Sequence, residues 1–259
     1  MRLTVIGSAG STAGPDSPPS CYLIEADHEG RTWRIVLDLG PGTLGPLQRL
    51  CDPTAVDAVV VSHGHPDHCA DLASLSVLFR YGPAAGEGRA PVPLYGPAGI
   101  DRRVVQIAGS EDDRDLEAFA FTAVGAGDRA QVGPFTLDFA SAWHPVPANA
   151  VRVTGPSVAG GAVSLVYTGD TDRCDTVLDL ARGADALLAE AGWAHQAVNP
   201  PGIHMTGTQA GELAREAGVR ALIVTHVASW VDPAQTLEHA AAAFGAAVTH
   251  AHPGAVADL

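Results

Sequence analysis

One passage constrains this chain more than any other: Val59-Val60-Val61-Ser62-His63-Gly64-His65-Pro66-Asp67-His68. The segment Val56–Val61 reads as a strand buried on both faces, and four potential metal ligands follow it within six positions. His63 and His65 alternate with small or turn-forming residues, so both rings can turn to one centre. Asp67 and His68 stand where the next helix begins and can face a second centre. Imidazole and carboxylate together suit Zn²⁺ first, and also Mn²⁺ or Fe²⁺. The expected cofactor is therefore a pair of divalent ions held at the end of a buried strand.

The rest of the chain supplies strands and helices to frame such a site. Strand-like runs at Leu3–Ile6, Cys21–Glu25 and Trp33–Leu37 are bounded by Gly, Pro and Ser. Gly7–Pro19 reads as an ordered loop, and a short helix is expected near Leu44–Leu50. Asp71–Tyr81 has helical spacing, with Leu72, Leu75, Leu78 and Phe79 on one side. The middle, Gly82–Asp128, reads as loop-rich with short helices. Strands are expected again at Phe135–Trp143, Ala150–Val153 and Val163–Thr168. Helix and strand then alternate through Cys174–Ala181, Ala186–Glu190, Gly207–Ala217, Ala221–Thr225 and Pro233–Phe244. No linker separates the two halves, so residues 1–259 read as one α/β domain with two sheets inside and helices outside.

Composition excludes several classes. The formal charge is −14, which opposes nonspecific polynucleotide binding because that binding needs cations to replace condensed counterions. Cys21, Cys51, Cys69 and Cys174 form no C-x-x-C pair, which argues against disulfide staples or a thiolate zinc knuckle. No apolar stretch approaches the length of a membrane span. The apolar run at Met1–Gly7 is too short for a secretory segment and reads as the first strand, so the expected location is the cytoplasm.

The segment His63–His68 resembles the H-x-H-x-D-H motif of the metallo-β-lactamase fold, and the surrounding pattern resembles its ribonuclease Z and cyclic-phosphodiesterase branch. The resemblance runs over nearly the whole chain. It implies an αββα sandwich, two central mixed sheets flanked by helices. Val36-Leu37-Asp38-Leu39-Gly40 looks like the family's D-x-G segment, which makes Asp38 a carboxylate behind the ligands that orients a histidine. Trp143-His144-Pro145 is similar to the third-histidine segment, Tyr167-Thr168-Gly169-Asp170-Thr171 to the bridging-aspartate segment, and Leu222–His226 to that of the last histidine. The resemblance implies one ion held by His63, His65, His144 and Asp170. It implies a second held by Asp67, His68, Asp170 and His226, with Asp170 shared.

Gly202-Ile203-His204-Met205-Thr206-Gly207-Thr208-Gln209-Ala210 resembles the H-x-T/S-x-x-x-A segment of the ribonuclease Z branch. His204 would then bind a phosphoryl oxygen or protonate the leaving alkoxide, with Glu190 as its hydrogen-bond partner. Asp67 would orient or deprotonate the attacking water. The loop Gly7-Ser8-Ala9-Gly10-Ser11 suggests backbone N–H groups at the mouth, with Ser8 and Ser11 as substrate contacts. Trp143, Trp193 and Trp230 are candidate walls for a base; His28, His195, His239, His250 and His252 match no motif and are read as surface residues.

Ribonuclease Z enzymes hold pre-tRNA with a long Gly/Pro-rich arm between the third histidine and the bridging aspartate. Only Pro145–Gly169 separates His144 from Asp170, which leaves no room for that arm. The N-terminal segment, Arg80-Tyr81 and Ile203–Thr208 together resemble the atypical class II cyclic-nucleotide phosphodiesterases of actinobacteria. That resemblance implies a small nucleotide diester as substrate, 3′,5′-cyclic AMP above all, with structured RNA disfavoured. Homodimers are common among such relatives, and one is expected here. The competing readings are a tRNA 3′-end endonuclease, a thioester, lactone or sulfate hydrolase on the same fold, and a noncatalytic metal-binding scaffold.

Overall fold

Several strands of this chain, Cys21–His28, Ala58–Val60 and Ala186–Glu190 among them, bury residues of both faces, and the architecture follows from that. In the strand Cys21–His28, Tyr22 and Ile24 turn to one side, and Cys21 and Leu23 to the other; all four are fully buried. A strand with two apolar faces needs a partner layer on each. The computed structural model, which describes residues 1–196 and 198–259, supplies them as two seven-stranded mixed sheets packed face to face with helices outside both.

The first sheet runs Val256–Asp258, Arg2–Gly7, Cys21–His28, Arg31–Leu37, Ala58–Val60, Val92–Gly96, Phe119–Ala123. The second runs Thr249–His250, Ala221–Thr225, Ala186–Glu190, Ala162–Tyr167, Asn149–Pro156, Phe135–Ser141, Arg129–Val132. The central core lies between them, with Val5, Ile24 and Leu37 of one meeting Phe135, Val153 and Leu188 of the other. Outside the first sheet, Leu23, Val36 and Val59 pack with Leu72 and Leu75 of the helix Asp71–Tyr81 and Val104 of the helix Ile100–Ala108. Outside the second, Leu187 and Val224 pack with Val177, Leu213 and Ala240, one from each of the helices Asp175–Ala181, Gly207–Ala217 and Pro233–Phe244. This is an α/β sandwich, two mixed sheets flanked by helices, the architecture that the resemblance implies. Among the described residues no helix is long and apolar enough to cross a membrane.

Three sequence expectations need correction. Gly82–Asp128 is not mainly loop: it holds two sheet strands, Val92–Gly96 and Phe119–Ala123, and the helix Ile100–Ala108. Gly7–Pro19 is not loop throughout, because Ala9–Gly10 pairs in parallel with Val227–Ala228. The strand before the metal motif is only Ala58–Val60: Asp57 interrupts the apolar run, and its carboxylate accepts the N–H of Arg34 at 2.7 Å.

Ala58–Val60, Phe135–Ser141, Ala162–Tyr167, Ala186–Glu190 and Ala221–Thr225 all end toward one edge of the sandwich. The loops of the two sheets meet there: Asn149 donates its N–H to Ser62 O at 2.9 Å, and His63 forms an isolated bridge with Ala148.

Candidate metal centre

Each of the five strand ends delivers a side chain to this edge. His63, His65, Asp67 and His68 follow Ala58–Val60; His144 follows Phe135–Ser141; Asp170 follows Ala162–Tyr167; Glu190 closes Ala186–Glu190; and His226 follows Ala221–Thr225. The seven residues expected as ligands gather into two groups. His63, His65 and His144 form one, and Asp67, His68, Asp170 and His226 the other.

The second group has the dimensions of a tetrahedral site. His68 Nε2 lies 3.2 Å from His226 Nε2, 3.2 Å from Asp67 Oδ2 and 3.2 Å from Asp170 Oδ1. His226 Nε2 lies 3.3 Å from both carboxylate oxygens. Ligands bonded at 2.0–2.1 Å around one zinc stand about 3.3–3.4 Å apart, so these spacings fit. In the first group His65 Nδ1 is 3.0 Å from His63 Nε2 and 3.1 Å from His144 Nε2. Asp170 points Oδ1 at the second group and Oδ2 at His63, 3.7 Å away, so its carboxylate lies between the two groups. Its Oδ1 is buried and accepts no hydrogen bond. A buried, unsatisfied carboxylate oxygen is costly unless a cation faces it, and the donor set therefore fits divalent metal. The cluster can bind metal ions.

The shell behind the ligands fixes which nitrogens face inward. Asp38 is fully buried and accepts from Ser62 N at 2.6 Å, Ser62 Oγ at 2.8 Å and Tyr167 OH at 2.6 Å. Its Oδ2 lies 2.7 Å from His68 Nδ1, so that ring donates there and presents Nε2 to the centre. His144 donates Nδ1–H to Ile203 O at 2.8 Å and presents Nε2 in the same way. Asp38 and His226 are both non-glycine residues in the left-handed region, at φ 56° and 52°. Such strain, about 1–3 kcal/mol per residue, clusters at functional sites. Packing here is close: a Cβ on Gly40 would meet Asp67 O at 2.2 Å, and one on Gly10 would meet His226 O at 2.4 Å.

His204 stands beside both groups with its Nδ1 2.9 Å from Glu190 Oε1 and 3.8 Å from Asp170 Oδ2. Glu190 is fully buried and also accepts from Thr171 N and Gly192 N. Burial works against a charged His204 ring, but Glu190 and Asp170 outweigh it and raise the pKa to about 9. Burial also disfavours charge on His63, with His68 adding to it, and its pKa falls well below the ordinary value. His68 is buried too, yet Asp170 and Asp38 hold its pKa well above the ordinary value.

The remaining expectations divide. Ser11 directs its N–H to His226 Nε2 at 3.3 Å and so stands at the centre. Ser8 does not: its N–H bonds Pro18 O and Ser17 Oγ, and its side chain is buried. Of the three tryptophans, Trp193 meets the ring of His204 edge-on at 5.4 Å between centroids, while Trp143 and Trp230 are exposed. Arg80 pairs with Asp115, away from the metal groups. Of the histidines read as surface residues, His195 and His239 meet with tilted rings at 4.5 Å between centroids, and His250 is half-buried.

Four contributors were not read from sequence. Ser62 and Tyr167 hold Asp38. Asp172 accepts from Gly202 N at 2.8 Å and so anchors the turn before His204, and the Ile203 carbonyl fixes His144. Asp172 carries a weak signal, a second carboxylate in the turn Asp170-Thr171-Asp172; the carbonyl carries none.

Comparison with known proteins agrees with this geometry. An uncharacterised protein of Mycobacterium tuberculosis (strain H37Rv) is 40% identical over 247 residues, 94% of this chain and 87% of its own length. A ribonuclease Z of Methanopyrus kandleri is 26% identical over 279 residues, 94% of this chain and 93% of its own. The crystal structure of the metallo-β-lactamase fold protein YhfI from Bacillus subtilis superposes with a TM-score of 0.85 at 28% identity, over 100% of this chain and 99% of that one. Residues 33–227 match the Beta-lactamase superfamily domain, a span that holds every residue of both ligand groups. The chain thus belongs to the β-lactamase superfamily and is one of its metallo-hydrolases.

Proposed function

We propose that this metallo-hydrolase is a dinuclear phosphodiesterase acting on small cyclic nucleotides, with 3′,5′-cyclic AMP as its substrate. The observation that carries the reading is the placing of the His204–Glu190 pair against Asp170, the carboxylate that lies between the two ligand groups. Divalent ions held by those groups supply Lewis acidity, which offsets charge on phosphoryl oxygens and makes a nearby water acidic enough to attack near neutral pH. Asp67 directs Oδ2 at His68 and His226, and we assign its other oxygen to accept the proton of the attacking water. Glu190 holds His204 at Nδ1 and favours the charged ring, so Nε2–H is available to protonate the departing ribose oxygen.

The ribonuclease Z relative supports phosphodiester chemistry in general. Against a structured RNA substrate stand the charge of −14 and the stretch between His144 and Asp170. That stretch is occupied by the antiparallel pair Asn149–Pro156 and Ala162–Tyr167, joined by a short turn at residues 157–161. The test is a side-by-side assay of cyclic AMP, a thioester and a pre-tRNA at equal enzyme concentration and physiological salt. Turnover of cyclic AMP alone is expected. Release of a tRNA 3′ trailer with cyclic AMP left intact would put the endonuclease reading in its place.

A further inference from the structure

Metals and His204 act on the phosphodiester itself and do not distinguish one nucleoside from another. Whatever does so must lie beside them. Two cavities flank the centre on the side of His65 and His144, of about 370 and 430 Å³. They share Pro97, Ala98, Val146 and Pro147, so they form one groove, with His65 in one part and His144 in the other. Its size and its wall of mixed polar and apolar surface suit a small polar organic ligand.

Besides His65 and His144, the polar side chains lining this groove are Ser141 and Asn149 in the part beside His144, and Arg103 and Gln106, both on the helix Ile100–Ala108, in the part beside His65. Arg103 donates Nε–H to the Gly64 carbonyl at 2.9 Å, inside the metal-binding turn, and Nη1–H to Gln106 Oε1 at 3.2 Å. Among the described residues no carboxylate lies within ion-pair distance of it, unlike Arg2, Arg34, Arg80 and Arg89. In an acidic chain that pairs most of its arginines, a half-buried guanidinium without an anion has donors to spare. It also offers a flat face for stacking on an aromatic ring. Gln106 turns its oxygen to Arg103, which leaves its amide N–H groups directed elsewhere. The pair therefore presents guanidinium and amide N–H donors together with the second lone pair of Gln106 Oε1. The matching edge of a nucleobase is the N7 edge of a purine, where N7 accepts from the pair and the N6 amino group of adenine donates to Gln106 Oε1. Pyrimidines have no N7.

We propose that this groove holds the nucleoside of the substrate, that Arg103 is the specificity-determining residue there, and that the site selects purines over pyrimidines. The inference rests on the phosphodiesterase reading above. Its test compares kcat/KM for 3′,5′-cyclic AMP, 3′,5′-cyclic UMP and methyl p-nitrophenyl phosphate, a diester without a base. The parent enzyme and two variants, Arg103→Ala and Ala98→Trp, are assayed. Ala98 is an exposed loop residue on the shared wall, so a bulky side chain there fills the groove without entering the core. The parent is expected to prefer cyclic AMP over cyclic UMP by about tenfold or more, and Arg103→Ala to erase most of that preference, chiefly through KM. Ala98→Trp is expected to lower kcat/KM for both nucleotides at least tenfold more than for the base-free diester. Should the parent hydrolyse cyclic AMP while both variants keep its ratios among the three substrates, the groove is not the nucleoside site. A parent that hydrolyses none of the three overturns the phosphodiesterase reading, and this inference with it.

Discussion

Asp38 is held at φ 56° in a fully buried position, and the four hydrogen bonds its carboxylate makes with Ser62, His68 and Tyr167 explain why that strain is tolerated. Asn has nearly the same shape but replaces one acceptor oxygen by a donor, which cannot serve Ser62, Tyr167 and His68 together. Asp38→Asn is expected to weaken metal affinity about 10–100-fold, read by competition with a zinc chelator of known affinity. Unchanged affinity would mean that the ligand geometry does not depend on Asp38. His204 predicts the opposite pattern. It contacts Asp170 without belonging to the two ligand groups expected from sequence, so His204→Ala should retain both ions and lose roughly 10²–10⁴-fold in turnover. Turnover within a few fold of the parent would make His204 a packing residue. The ligand residues were legible because local spacing and chain order both speak for them. Ser62 and Tyr167 were not, since a serine or tyrosine hydroxyl acquires its role only when folding brings Asp38 to it.

The helix Gly207–Ala217 illustrates how an element, rather than a residue, positions chemistry. It opens on a capping box: Thr206 Oγ1 accepts from Gln209 N at 3.3 Å, and Gln209 Oε1 accepts from Thr206 N at 2.8 Å. Gln209 Nε2 then donates to Asp172 Oδ1 at 3.2 Å, while Asp172 Oδ2 takes Gly202 N. The helix start, the Asp170–Asp172 turn and the segment bearing His204 are thereby one hydrogen-bonded unit. Thr206→Ala is expected to cost about 1 kcal/mol, as loss of an N-cap does, and to lower the melting temperature by about 2–4 °C. It should also reduce turnover more than metal content. A normal melting temperature and turnover would show that Gln209 alone holds the unit. This helix was legible to its ends, because its cap and its apolar face are written locally. The strand Val92–Gly96 was not. Pro93 and the surrounding Gly and Pro residues signal loop, and the sequence Val-Pro-Leu-Tyr-Gly becomes a strand only by pairing with Ala58–Val60 and Phe119–Ala123. The same holds for Ala9–Gly10, whose partner lies more than two hundred residues away.

At the scale of the molecule, the ligand groups join the two sheets. His63, His65, Asp67 and His68 belong to the first, and His144, Asp170 and His226 to the second, so ions held between them cross-link the halves of the sandwich. Without cations the edge must keep Asp38, Asp67, Asp170 and Glu190 buried together, balanced only by histidines whose own burial opposes charge. Ions bind this arrangement in the folded chain and not in the dispersed ligands of the unfolded one, so binding free energy becomes stability. At a free metal concentration about a thousand times Kd, one ion adds about 4 kcal/mol. For a chain of this size that corresponds to roughly 10 °C in melting temperature. The prediction is that exhaustive chelation, which removes two such ions, lowers the melting temperature by about twice that much. Adding back zinc or manganese should restore it in two binding steps, seen by calorimetry, since the two groups are separate sets of side chains with Asp170 between them. A chelated protein that melts where the loaded one does would mean that the histidine–carboxylate pairs alone hold the edge together. Restoration at one equivalent of metal would mean that only one of the two groups takes an ion in solution.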